Sequence, residues 1–109
     1  MASQERTNVV ISGATTHNEL VAAVAGYKIR VLSYVLVNAV TKTVLFNSFD
    51  GATTYTALSG VMTLTAGYPC VNPLQRDGIF ETISGEALDL QLGAETQCSG
   101  HLTYSLIAA

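Results

Sequence analysis

The strict alternation of two segments near the end of the chain limits its fold more than any other feature. In Ala87–Leu92 the leucines Leu88, Leu90 and Leu92 fall on one side, and Ala87, Asp89 and Gln91 on the other. His101–Ile107 repeats the pattern, with Leu102, Tyr104 and Leu106 set against Thr103 and Ser105. Period two belongs to a half-buried β-strand, because successive side chains leave a pleated strand on opposite faces. The leucine sides are therefore expected inside and the polar sides outside. Each such strand needs neighbours to pair with and a second layer to cover its apolar face.

The rest of the chain supplies them. Val, Thr, Ile, Leu, Tyr and Ser dominate, and β-branched side chains suit a pleated surface. Gly and Pro interrupt the chain at short intervals, including Gly13, Gly26, Gly51, Gly60, Gly67, Pro69, Pro73, Gly78, Gly85, Gly93 and Gly100. Between these breaks, strands are predicted at Asn8–Ser12, Asn18–Ala25, Tyr27–Asn38, Lys42–Phe49, Thr53–Leu58, Val61–Ala66 and Ile79–Ile83. The Ala-rich Asn18–Ala25 also reads as a short helix. Tyr27–Asn38 carries apolar groups in both phases of its alternation, which predicts a strand covered on both sides. Asp50–Gly51 marks a tight turn, and Gly67–Gly78, with both prolines, reads as a long loop. The expected fold is all-β: one jelly-roll-like antiparallel β-sandwich of about eight strands. A polar N-terminal arm, residues 1–8, is expected to precede a domain at 9–109.

Charge and hydropathy narrow the function. Only 12% of the 109 residues are charged, whereas 49% are apolar. A typical soluble domain carries about a quarter charged residues, so part of this surface is expected to be covered by something else. A membrane is not the expected cover, because Leu20–Gly26 and Val31–Val40 fall far short of the ~20 residues of a spanning helix. Met1–Asn8 is polar and lacks the apolar core of a signal peptide, so synthesis and use without secretion are expected. The net charge is −3, and Arg6, Lys28, Arg30, Lys42 and Arg76 are scattered. Nucleic acid is therefore not an expected partner, since it needs a concentrated basic footprint.

Little chemistry is visible. His17 and His101 stand far apart with no ligand spacing, so no metal and no cofactor are expected. Cys70 and Cys98 are either one disulfide or two reduced thiols, the second being the simpler expectation for a cytosolic product. Glu81 and Glu86 flank one turn and form the best acidic pair, but as an exposed strand residue and a turn residue they read as structural. No nucleophile elbow or phosphate loop occurs, and no enzyme is expected.

One ordered series of segments carries a resemblance. It runs Gly60-Val61-Met62-Thr63-Leu64, the proline loop, Asp77-Gly78-Ile79-Phe80-Glu81-Thr82, Ser84-Gly85-Glu86-Ala87-Leu88-Asp89-Leu90 and Ser99-Gly100-His101-Leu102-Thr103-Tyr104. Lys28–Tyr34 adds a matching strand, so that about residues 18–107 are covered. The series resembles a β-sandwich module of tailed-bacteriophage structural proteins, and departs from it at Tyr68-Pro69-Cys70-Val71. Standalone chains of that kind are similar to capsid decoration (cement) proteins. The resemblance implies a jelly roll that sits as a homotrimer on the exterior of the virion and stabilises the lattice of the major capsid protein.

Two functional expectations follow. In a cement protein, Arg30, Leu32, Tyr34 and Leu36 on the second face of Tyr27–Asn38 would lie between subunits. The arm residues Ser3, Gln4, Glu5, Arg6, Thr7 and Asn8 would contact the capsid. The alternative is a host-surface carbohydrate-binding module of a phage tail or fibre, for which Tyr27, Tyr55 and Tyr68 are the candidate platforms.

Overall fold

The computed structural model describes residues 6–108. Along them run β1 (Thr7–Gly13), β2 (His17–Val21), β3 (Tyr27–Asn38), β4 (Lys42–Phe49), β5 (Tyr55–Ala57), β6 (Met62–Leu64), β7 (Cys70–Asn72), β8 (Phe80–Glu81), β9 (Ala87–Leu92) and β10 (Cys98–Ala108). They form two five-stranded antiparallel sheets. The first has the order β1-β10-β3-β7, with β8 also on β3; the second has β2-β9-β4-β5, with β6 also on β4. The inner faces share one core, in which Ile11, Leu36 and Leu102 of the first sheet join Phe46, Leu88 and Leu90 of the second. The chain is a β-sandwich.

Pairing follows one rule throughout: early strands pair with late ones. Thr7 lies opposite Tyr104, His17 opposite Gln91, Arg30 opposite Glu81, and Asn47 opposite Ala57. The reversal comes at Asp50. Its carboxylate Oδ1 accepts the backbone N–H of Ala52, Thr53 and Thr54, and Gly51 takes φ 88°. Those three amides hold the Asp50 carboxyl below its ordinary range.

β3 departs from expectation in an instructive way. Its register with β10 shifts: Ser33 faces Thr103 but Val31 faces Tyr104, so Leu32 is one residue in excess. This bulge changes the phase of alternation. Ile29 and Val31 face the core before it, Tyr34 and Leu36 after it, and all four are buried. The inward positions therefore switch from one phase of the alternation to the other, while Val35 and Val37 face outward and are half-buried, so β3 is not buried on both faces. Backbone carbonyls at the bulge take long-range partners, Leu32 O from Gln75 N–H and Val31 O from Ile79 N–H.

Other boundaries also move. The predicted strand Asn18–Ala25 ends at Val21, and Ala22–Ala25 is neither strand nor helix. β7 is a strand inside the segment read as a loop, and β10 starts three residues before His101. Near its end, β10 reverses the expected placement: Ser105 is buried while Leu106 is exposed. Thr7 and Asn8 belong to β1, so the sheet begins inside the residues assigned to an arm.

Lys42 is buried with its ammonium satisfied, donating to Thr96 O, Thr96 Oγ1 and Gln97 O. Burial lowers its pKa. Cys70 and Cys98 are both free thiols, and burial pushes the Cys98 thiol up.

Gly100 is required by its surroundings. It sits in β10 against β3 with φ 147°, and a Cβ there would meet the Val35 carbonyl. Gly60 has open space around its Cβ position and no such backbone demand. Gly100→Ala is expected to destabilise the chain by about 2 kcal/mol or more, through strain and a backbone clash. Gly60→Ala should change it by within about 0.5 kcal/mol. Urea denaturation of the two variants checks the difference.

Candidate docking surface

The outer faces of the two sheets differ in what covers them. On the β2-β9-β4-β5 sheet, Asp89 points outward from β9, as the alternation predicts, yet keeps only 3% of its surface. Its carboxylate Oδ2 lies 3.0 Å from His17 Nδ1 on β2 and accepts from Asn47 Nδ2 on β4 at 3.0 Å. The same Asn47 Nδ2 also donates to Gln91 Oε1 at 3.0 Å. Above them, the His17 ring stacks on Tyr55 with centroids 3.8 Å apart, and Phe49 stacks on Tyr55 at 4.2 Å. Tyr55 thus has an aromatic ring near each face. Burial, Asp89 and Asp50 raise the Tyr55 hydroxyl above its ordinary pKa. These side chains close over the Asp89 carboxylate.

Among the described residues, the outer face of the β1-β10-β3-β7 sheet has no such lid. Three rungs cross it. The central one is Val10, His101, Val35 and Val71, with Val10 82% and Val71 60% exposed. One side carries Ser12, Ser99 and Val37, where Gln97 Nε2 donates to both serine hydroxyls. The other side carries Asn8, Thr103 and Ser33. These three, with Arg6 and Leu74, line an open recess of about 440 Å³. Thr103 Oγ1 donates to Asn8 Oδ1 at 2.9 Å, which turns the amide nitrogen of Asn8 away from that bond. Among the described residues the recess has no acidic lining, and the Arg6 guanidinium, the Asn8 amide nitrogen and the Ser33 hydroxyl can donate to an acceptor.

The residues assigned to a subunit interface are core residues. Leu32, Tyr34 and Leu36 are 2%, 5% and 0% exposed within the single chain, so they offer no surface to a neighbour. Tyr34 packs in the core with Phe46 and Phe80. Arg30, the fourth, is half-buried and bonds Glu81 across β3 and β8 at 2.9 Å, while Lys28 lies 3.5 Å from the same carboxylate. The bulge at Leu32 is the cause, since it redirects an apparent second face inward.

Of the residues assigned to the capsid contact, Arg6 and Asn8 come together at the recess, and Thr7 starts β1. Ser3, Gln4 and Glu5 lie outside the described residues. The three candidate tyrosines do not form one platform. Tyr55 is stacked on the other sheet, Tyr27 opens β3, and Tyr68 lies beyond the far end of that strand, next to Gly67, whose N–H bonds Asn38 O. The outward residues Val10, Val71, Ser33 and Thr103 are the ones that sequence reasoning missed. Each is unremarkable alone, and only the register of four strands unites them.

The acids have structural partners. Glu86 accepts from Ser48 Oγ, which in turn accepts from Ile83 N–H. Arg30 holds the Glu81 carboxyl below its ordinary range, the opposite of what a general acid needs. Among the described residues, no three His, Cys, Asp or Glu side chains gather to hold a metal. No protein-family model, no curated protein and no solved structure matches this chain.

Two outcomes test this geometry. Asp89→Ala removes the acceptor shared by His17 and Asn47 and is expected to cost about 1–3 kcal/mol. In a double-mutant cycle with His17→Ala, a coupling of at least about 0.5 kcal/mol is expected; zero coupling would show that the two do not act as a unit. The second concerns acid. Because the folded-state pKa of Glu81 is lowered, its stabilisation is present above the unfolded pKa and is lost as pH falls through the folded one. The urea midpoint should drop below about pH 5, and less steeply in Glu81→Gln.

Proposed function

We propose that this chain is a decoration protein of a tailed-bacteriophage head: a jelly roll that docks on the capsid exterior as a homotrimer and cements the major capsid protein lattice. The pairing of early with late strands supports the jelly roll. Counting β5 with β6 and β7 with β8 as two interrupted strands gives eight, and each of the first four then lies beside its counterpart from the end. The ordered segments from Gly60 to Tyr104 support the kinship.

The observation that carries the docking reading is the open sheet face. Low charge, an apolar middle rung and a donor-lined recess meet there beside Arg6 and Asn8. A cement protein gains from many modest contacts of this kind acting together on a lattice. A carbohydrate-binding role finds less support, because its tyrosines are separated and one is stacked between rings. Threefold contacts, in this reading, use surface side chains in place of Leu32, Tyr34 and Leu36.

The test is sedimentation of the purified chain with phage heads assembled without it. Wild type should co-sediment, and Arg6→Glu combined with Ser33→Asp should bind at least about tenfold more weakly, a change of about 1.4 kcal/mol. The folding of the double variant is checked by its urea midpoint. Equal binding of a folded variant would remove this face from the contact, and no binding by wild type would overturn the cement reading.

A further inference from the structure

Sheet edges are places where chains join, because an edge strand presents unpaired N–H and C=O groups along its length. This sandwich has four edges, and three are blunted. One is split into β7 and β8, three and two residues long, with Pro69 and Pro73 flanking β7. A second is split into β5 and β6, three residues each. The third, β2, shifts register between Glu19 and Val21 and carries an exposed Glu19. Short strands, prolines, bulges and charge are the devices by which proteins keep edges from pairing.

β1 has none of them. Its seven residues, Thr7-Asn8-Val9-Val10-Ile11-Ser12-Gly13, keep an unbroken register with β10 and include no proline and no charge. Val10 at its centre has the highest fractional exposure of the large hydrophobic residues described. The centre of the strand also reads the same in both directions by polarity: Asn8 matches Ser12, Val9 matches Ile11, and Val10 stands in the middle. A twofold contact brings a surface against itself, so it requires this kind of self-complementarity.

We propose that β1 is a pairing edge for a second copy of this chain, antiparallel about a twofold axis through Val10. Val10 then faces its own equivalent on the outer side, flanked by Asn8–Ser12 pairs. Val9 and Ile11 pair on the inner side, and the two sheets become one continuous sheet. No charged group lies within the contact, so the net charge of −3 per chain is not concentrated there. This contact does not depend on the capsid reading. It is compatible with a separate threefold contact, and on a lattice it would tie neighbouring trimers together.

Cross-linking tests the register. In a Cys70→Ser background, with Cys98 buried, Val10→Cys should give an intermolecular disulfide dimer under mild oxidation. Residues directly opposite in an antiparallel pair have Cα atoms about 4.5–5.5 Å apart, within the range a disulfide spans. His101→Cys, exposed on the same face one strand further in, should not. Light scattering after size-exclusion chromatography adds a second readout: Val10→Lys should lower the mass of the assembly, to half where β1 is its sole contact. No preferential Val10→Cys dimer, or a wild-type mass that Val10→Lys leaves unchanged, would overturn the proposal. Head binding is measured separately, so failure of one reading does not imply failure of the other.

Discussion

The extra residue at Leu32 is the constraint on which the rest of the sandwich depends. A bulge adds one residue to one strand and so shifts the phase of its alternation against the core. In β3 the bulge makes that shift. Ile29 and Val31 serve one half of the core, and Tyr34 and Leu36 the other. The carbonyls of Val31 and Leu32 then bind Ile79 and Gln75, which places the chain between β7 and β8 and helps to interrupt that edge. The aromatic cluster of Tyr34, Phe46 and Phe80 joins the two sheets beside the bulge. Core packing, one blunted edge and the outward direction of Ser33, Val35 and Val37 all follow from one residue.

What was legible in the sequence is what local chemistry decides. The inward leucines of β9, the Asp50–Gly51 reversal and the turn at Gly85 each depend on a few adjacent residues, and each is present, although Ala87 and Asp89 on the other side of β9 are buried as well. The sequence does not mark a bulge, so β3 read as a strand with two apolar faces, and Leu32, Tyr34 and Leu36 were misassigned to an interface. The same limit applies to surfaces. His17 and Asp89 are 72 positions apart and meet only because β2 pairs with β9. Val10, His101, Val35 and Val71 become one rung only through three separate registers. Arg6 and Asn8 read as part of a polar arm in the sequence, and they line the recess because β1 begins earlier than its apolar residues indicate.

The two outer faces show how one fold can close one surface and leave another open. On the second sheet, a carboxylate that alternation turns toward water is instead roofed by rings, and it remains tolerable because donors from two flanking strands meet it. The Asp89 carboxylate there has its hydrogen bonds inside the chain. On the first sheet Ser33, Asn8 and Arg6 line a recess with no acid among the described residues, and valines flank an exposed imidazole. A low overall charge would be costly for a solitary chain with both faces bare. Here the cost is concentrated on one face and its adjoining edge, β1. Continuous with each other, that face and edge allow a single surface to meet a lattice in one direction and a neighbouring copy in another.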